Sequence, residues 1–144
     1  MKLIIVLSGI ITSMTLWGLP NGTVNTNTWR IELNQKVLLS SQRNKLGDSV
    51  ILKRNELNTS DRLSVGRFFC GHNFDEEEQR LILKNKDNQV IKVYKRKDGG
   101  LTYFVVVPIN QVISTIDSLH INSIKLYTST EKIPEEFVAK IVIK

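Results

Sequence analysis

The feature that most constrains this chain is a hydrophobic period of two, which recurs in short segments from Trp29 onward. Trp29-Arg30-Ile31-Glu32-Leu33 and Arg62-Leu63-Ser64-Val65 alternate apolar and polar residues, and Gln89 to Lys95 follows the same rhythm in part. Successive side chains of a strand point to opposite faces, so alternation buries one face and wets the other. Val37 to Leu39, Val50 to Leu52, Leu81 to Leu83 and Tyr103 to Val107 are instead short continuous apolar runs. They suit strands covered on both faces, or strands whose outer face meets something. Ile124 to Tyr127 and Val138 to Ile143 bring the set to about nine strands.

Turn signals separate these segments: Asn44 to Asp48, Asn55 to Ser60, Lys86-Asp87-Asn88 and Asp98-Gly99-Gly100. Short strands at this spacing predict an antiparallel sandwich or barrel, and no parallel α/β alternation is visible. One segment departs from the period. Val112, Ile113 and Ile116 share a helical face, and Pro108 can end a strand and start a turn. This predicts a short helix or helical turn near 109–117, crossing one end of the sheets. Asp75 to Gln79 is expected to form an acidic loop running into the strand at Leu81.

Upstream of the alternating region the chain reads differently. Met1-Lys2 precedes an apolar run from Leu3 to Leu19, broken at Pro20 and followed by the polar stretch 21–28. A charge, an apolar core and a polar exit are what the secretion machinery reads, so an apolar leader helix is expected over 1–20. The cleavage region is poor, because Gly18, Gly22 and Thr26 each have Leu, Pro or Val two residues earlier. A signal anchor therefore stays open beside a cleaved signal peptide, although the run of 17 residues is short for a bilayer and is diluted by Ser8, Thr12, Ser13 and Thr15. Residues 21–28 read as a flexible tether and 29–144 as the β domain.

Of the 144 residues, the part beyond the leader is enough for one core and too little for two domains. Net charge is +6, of which Lys2 contributes one, and the basic residues are dispersed. Nucleic-acid binding asks for clustered basic residues with interleaved aromatics on one face, so it is not expected. The densest group, Lys92, Lys95, Arg96 and Lys97, runs into Asp98-Gly99-Gly100 and reads as solvated hairpin flanks. Cys70 is the one cysteine, so no internal disulfide can form and stability must come from packing. Positions 17 to 22 hold no cysteine for lipid attachment.

The residues that carry chemistry are few. Cys70-Gly71-His72 pairs soft ligands, and with His120 it raises a copper or zinc site. Both methionines lie in the leader and the cysteine sits mid-chain, which leaves a blue-copper set unfilled. A strand ending at Phe68-Phe69-Cys70, a turn at Gly71 and an exposed His72 explain the same residues. Asp75 to Glu78 offers carboxylates, but calcium loops alternate their ligands around a glycine, so a solvated loop is favoured. Cys70, His120 and Asp117 match a nucleophilic triad in composition alone. Enzymatic activity is not expected, and no cofactor is implied. Asn21 and Asn58 head Asn-x-Ser/Thr triplets, and Asp48-Ser49-Val50 and Asp117-Ser118-Leu119 match an Asp-Ser-apolar O-glycosylation pattern.

Asp61-Arg-Leu-Ser-Val65 opening a strand, and Leu81-Ile-Leu83 followed by the turn Asp87-Asn88, resemble small, mostly uncharacterised exported β-sandwich proteins of Gram-negative bacteria. The resemblance is one of architecture. It implies an all-β immunoglobulin-like sandwich of eight to nine strands at the periplasm or cell surface, and it transfers no functional residue. The expected function is a non-enzymatic exported module that binds another envelope or extracellular component, a protein or a polysaccharide, with residues 3–19 able to tether it to the membrane. The alternative is a carrier enclosing an apolar ligand in a barrel, lined by Phe68, Phe69, Tyr94, Tyr103, Phe104 and Tyr127. A partner would add its strand at an open edge, and the final strand, with Phe137, Val138, Lys140, Ile141 and Ile143, is the expected place.

Overall fold

The computed structural model describes residues 27–69, 71–97, 100 and 103–144. The leader, most of the tether, Cys70 and the Asp98-Gly99 turn lie outside the described residues. Nine strands follow in order: β1 (Asn27–Leu33), β2 (Lys36–Ser40), β3 (Ser49–Leu52), β4 (Arg62–Phe69), β5 (Gln79–Lys84), β6 (Val90–Arg96), β7 (Tyr103–Pro108), β8 (Ser123–Ser129) and β9 (Glu136–Ile143). Among the described residues one helix, α1 (Ile109–Ser118), lies between β7 and β8, and one 3-10 turn covers Arg54–Glu56. Each expected strand and the expected helix are present.

The strands form two sheets, ordered β2-β1-β4-β7 and β3-β9-β8-β5-β6. Every pairing is antiparallel except β3 with β9, where Ser49 stands beside Lys140 and Leu52 beside Ile143 in parallel. The chain leaves β2 in one sheet and enters the other at its rim, so β3 arrives running the same way as β9. The fold is thus an all-β sandwich with one parallel pair at a margin.

Alternation makes the core. Trp29 and Ile31 of β1, Leu63 and Val65 of β4, and Tyr103, Val105 and Val107 of β7 face inward from the four-stranded sheet. Leu81 and Leu83 of β5, Ile124 and Leu126 of β8, and Ala139, Ile141 and Ile143 of β9 meet them from the other. Two irregularities in the pattern have local causes. In β9 both Val138 and Ala139 are buried because a bulge shifts the register between Leu126 and Tyr127. In β5 the outward Ile82 is buried too, since Val93 and Tyr127 stand directly opposite it on either side.

The helix closes one end of the sandwich. Ile109, Val112 and Ile116 join the core and Ile113 is half-buried, so the apolar face turns about one residue from the expected one. The Ile109 amide donates to the Asp61 carbonyl (2.8 Å). The Asp61 carboxylate in turn accepts from the Asn58 amide (2.9 Å) and from Asn34 Nδ2 (2.8 Å), which holds it below the ordinary value. Asn34 and Gln35, with φ of 51° and 69°, turn β1 into β2 as a tight hairpin.

One expectation is corrected by the topology. β9 is flanked by β3 and β8, so Phe137, Val138, Lys140, Ile141 and Ile143 offer no open edge. Even the bulged part is engaged, as the Gly47 amide donates to the Val138 carbonyl (2.8 Å) and the Lys140 amide to the Asp48 carbonyl (3.1 Å). The sheet margins are β2 and β7, and β3 and β6.

Candidate functional site

The outward side chains of the four-stranded sheet fall into rows. Thr28 stands opposite Phe68; Ser40, Arg30, Gly66 and Phe104 form the next row; Glu32, Ser64 and Val106 form a third, with Val37 beside Glu32. Strand geometry alone sets this order, because each outward residue is two positions from the next. Gly66 lowers the middle of the second row. A Cβ at this position would lie 3.0 Å from Phe104 Cδ2, so the Phe104 ring occupies the space a side chain would take.

Phe104 is held in place from the opposite sheet. Its amide donates to Gln79 Oε1 (2.8 Å), and its carbonyl accepts from Arg96 Nη1 (2.6 Å). These two bonds also satisfy main-chain groups on the margin strand β7. On the other flank Arg30 Nε lies 2.7 Å from Glu32 Oε1. Between them runs an open groove of about 390 Å³, bounded by Arg30, by Phe68 and Phe104, and by Gln42 and Arg43 of the turn after β2. Val37, Phe68 and Val106 are 43%, 41% and 39% exposed on this face. Arg43 and Arg62 make no ion pair among the described residues.

A second polar constellation lies at the end where β4 finishes. Arg67, fully buried between the sheets, donates from Nη1 to Thr128 Oγ1 (2.9 Å) and from Nη2 to Glu136 Oε2 (2.6 Å), with its guanidinium 4.8 Å from the Phe69 ring centre. Beside it Glu77 is buried, with His72 Nε2 at 2.9 Å and Lys132 Nζ at 3.0 Å from Oε1. The His72 contact is one of proximity, outside hydrogen-bonding geometry. Burial pushes the Glu77 carboxyl up, but the nearby Thr130 hydroxyl, the Lys132 ammonium and the His72 ring together hold it below the ordinary value. The ring of His72 also meets Phe74 edge-on, 4.6 Å between centres.

This corrects two expectations. The acidic stretch is not wholly solvated, since Glu77 turns inward while Asp75 and Glu76 stay exposed; a left-handed backbone at Glu76, φ 65°, swings its neighbour under. His72 is half-buried rather than free on a loop. It does not meet His120. His120 follows α1 beside the start of β8, whereas His72 lies by Glu77 and Thr130 at the far end of that strand, roughly 20 Å of strand apart. Cys70 lies outside the described residues, and among the described residues no three His, Cys, Asp or Glu side chains are grouped to hold a metal. Asp117 is engaged by Arg54 through two bonds of 2.9 and 2.7 Å.

Of the groove residues, sequence reasoning named Phe68 and Phe104, but as the lining of a barrel interior and not as an outer face. A signal existed: Phe68 and Phe104 are aromatics at the outward positions of their strands, where alternation asks for polar residues. No family model, no curated protein and no solved structure matches this chain.

Proposed function

We infer that this protein is an exported, non-enzymatic β-sandwich module that binds another envelope component through the outer face of its four-stranded sheet. The observation that carries this reading is the open groove floored by Gly66 and walled by Phe68 and Phe104. Apolar side chains left in water around a concave, arginine-rimmed surface are the usual marks of a recognition face. The apolar run at residues 3–19 supports the exported placement.

The carrier alternative asks six aromatics to line one interior, and here they part company. Tyr103 packs in the core against Phe74, Phe68 and Phe104 lie on the outer face, and Tyr127 stacks on Phe137. Such a distribution gives an enclosed ligand no common lining, so it favours the surface-binding reading.

The test is site-specific photocrosslinking in envelope extracts, with the reactive group at position 68 or, on the opposite sheet, at position 92. Adducts from 68 and none from 92 are expected. Equal patterns from both positions, or none from either, would remove the assignment of this face.

A further inference from the structure

Deepening that reading, we propose that the partner of this face is an anionic lipid surface, onto which the sheet lies flat beside its own membrane-directed segment. Thr28 lines the groove, and the apolar run ends at Leu19, so the nine residues from Pro20 to Thr28 span at most roughly 30 Å. Whenever the run occupies a bilayer, the groove stands within that distance of the headgroups.

The exposed side chains of the face combine the apolar and basic chemistry that an anionic lipid surface offers places for. Its exposed apolar members, Val37, Phe68 and Val106, have no polar handle and offer dispersion and area alone. Around them Arg30, Arg43 and Arg62 stand against one carboxylate, Glu32, which Arg30 already engages. Arg43 and Arg62 are free to meet lipid phosphates. The neighbouring acidic loop is partly neutralised, since Lys132 lies on Glu77 while Arg80 and Lys95 lie on Glu78, 2.7 and 3.2 Å away. A basic apolar face beside an anchoring segment supplies the two signals that stable membrane attachment needs.

The experiment uses the full chain reconstituted in vesicles, with Cys70→Ser and a polarity-sensitive dye on Val106→Cys or, on the opposite sheet, Lys92→Cys. In vesicles containing phosphatidylglycerol the dye at 106 is expected to move to a less polar environment, and in pure phosphatidylcholine it should stay in water. The dye at 92 should stay in water in both. Reversing Arg43 and Arg62 to Glu should lower the docked fraction by at least about fivefold per residue and abolish its dependence on salt. An unmoved dye at 106, or equal movement at 92, overturns the lipid assignment. In that case protein adducts from position 68 would still uphold the recognition face, so the two readings fail separately.

Discussion

Arg67 Nη2 lies 2.6 Å from Glu136 Oε2, so one ion pair ties β4 of one sheet to the start of β9 in the other. The two partners are not equivalent. The Arg67 side chain is 1% exposed and that of Glu136 is 37% exposed. A buried charge that loses its partner cannot be compensated by water, whereas a half-exposed carboxylate can.

The order of two variants follows. Glu136→Ala leaves the guanidinium buried with Thr128 and the Phe69 ring alone and should cost about 3 kcal/mol. Arg67→Met removes the buried charge itself and should cost about 1.5 kcal/mol, mostly through the unpaired Thr128 hydroxyl. Denaturant unfolding of both checks this, and the reverse order would show that the pair contributes through Arg67 packing.

Glu77 is one of four carboxyls that shape the acid limb of the stability curve. Its carboxyl is held below the ordinary value of 4.5, so its contribution is fully present above that pH and is lost as the pH falls through the folded-state value. Asp61, Glu78 and Asp117 are shifted the same way and add to the same limb. Glu77→Gln should lower the melting temperature at pH 7 and make its fall below pH 4.5 shallower. Melting curves that stay parallel to wild type across that range would rule Glu77 out as a source of the dependence.

At Gly66 space and recognition meet. Gly66→Val would place its side chain where the Phe104 ring lies, forcing that ring outward into the groove. Stability should fall by about 1 to 2 kcal/mol, while crosslinking from position 68 should drop severalfold. Gly66→Val with Phe104→Ala should regain the stability and not the adducts. Recovery of both would mean that Phe104 has no part in binding.

The placement of β9 makes a sharp prediction about truncation. Removing residues 137–144 takes away a strand paired on both sides and the core residues Val138, Ala139, Ile141 and Ile143. The folded domain should be lost altogether, seen as the absence of a cooperative thermal transition. A truncated chain that still melts cooperatively would place the core elsewhere.

Local chemistry was legible wherever a segment's own pattern decided its state. Alternation marked β1 and β4, Asp87-Asn88 marked the turn before β6, and Pro108 with the spacing of Val112 and Ile116 marked α1. The hairpin at Asn34-Gln35 carried a weaker signal, since neither residue is glycine; Asn34 tolerates its positive φ while its side chain bonds Asp61 and Arg62. Alternation puts Arg67 on the same face of β4 as Leu63 and Val65, but the polar partners that let a charge lie there, Thr128 and Glu136, are 61 and 69 residues away. The groove was hidden for the same reason. Thr28, Gly66 and Phe104 become neighbours only when β1, β4 and β7 pair.

By itself, then, the sequence determined the elements: nine strands, one helix and an apolar leading run, each encoded by the periodicity of residues a few positions apart. The tertiary structure alone decided which strands are margins, that β9 is interior, that Glu77 and Arg67 are buried, and that one sheet face holds a groove with aromatic walls and a basic rim. Periodicity is a local property of the chain, whereas strand order and pairing are settled by which faces bury together across long separations, and no single segment carries that information.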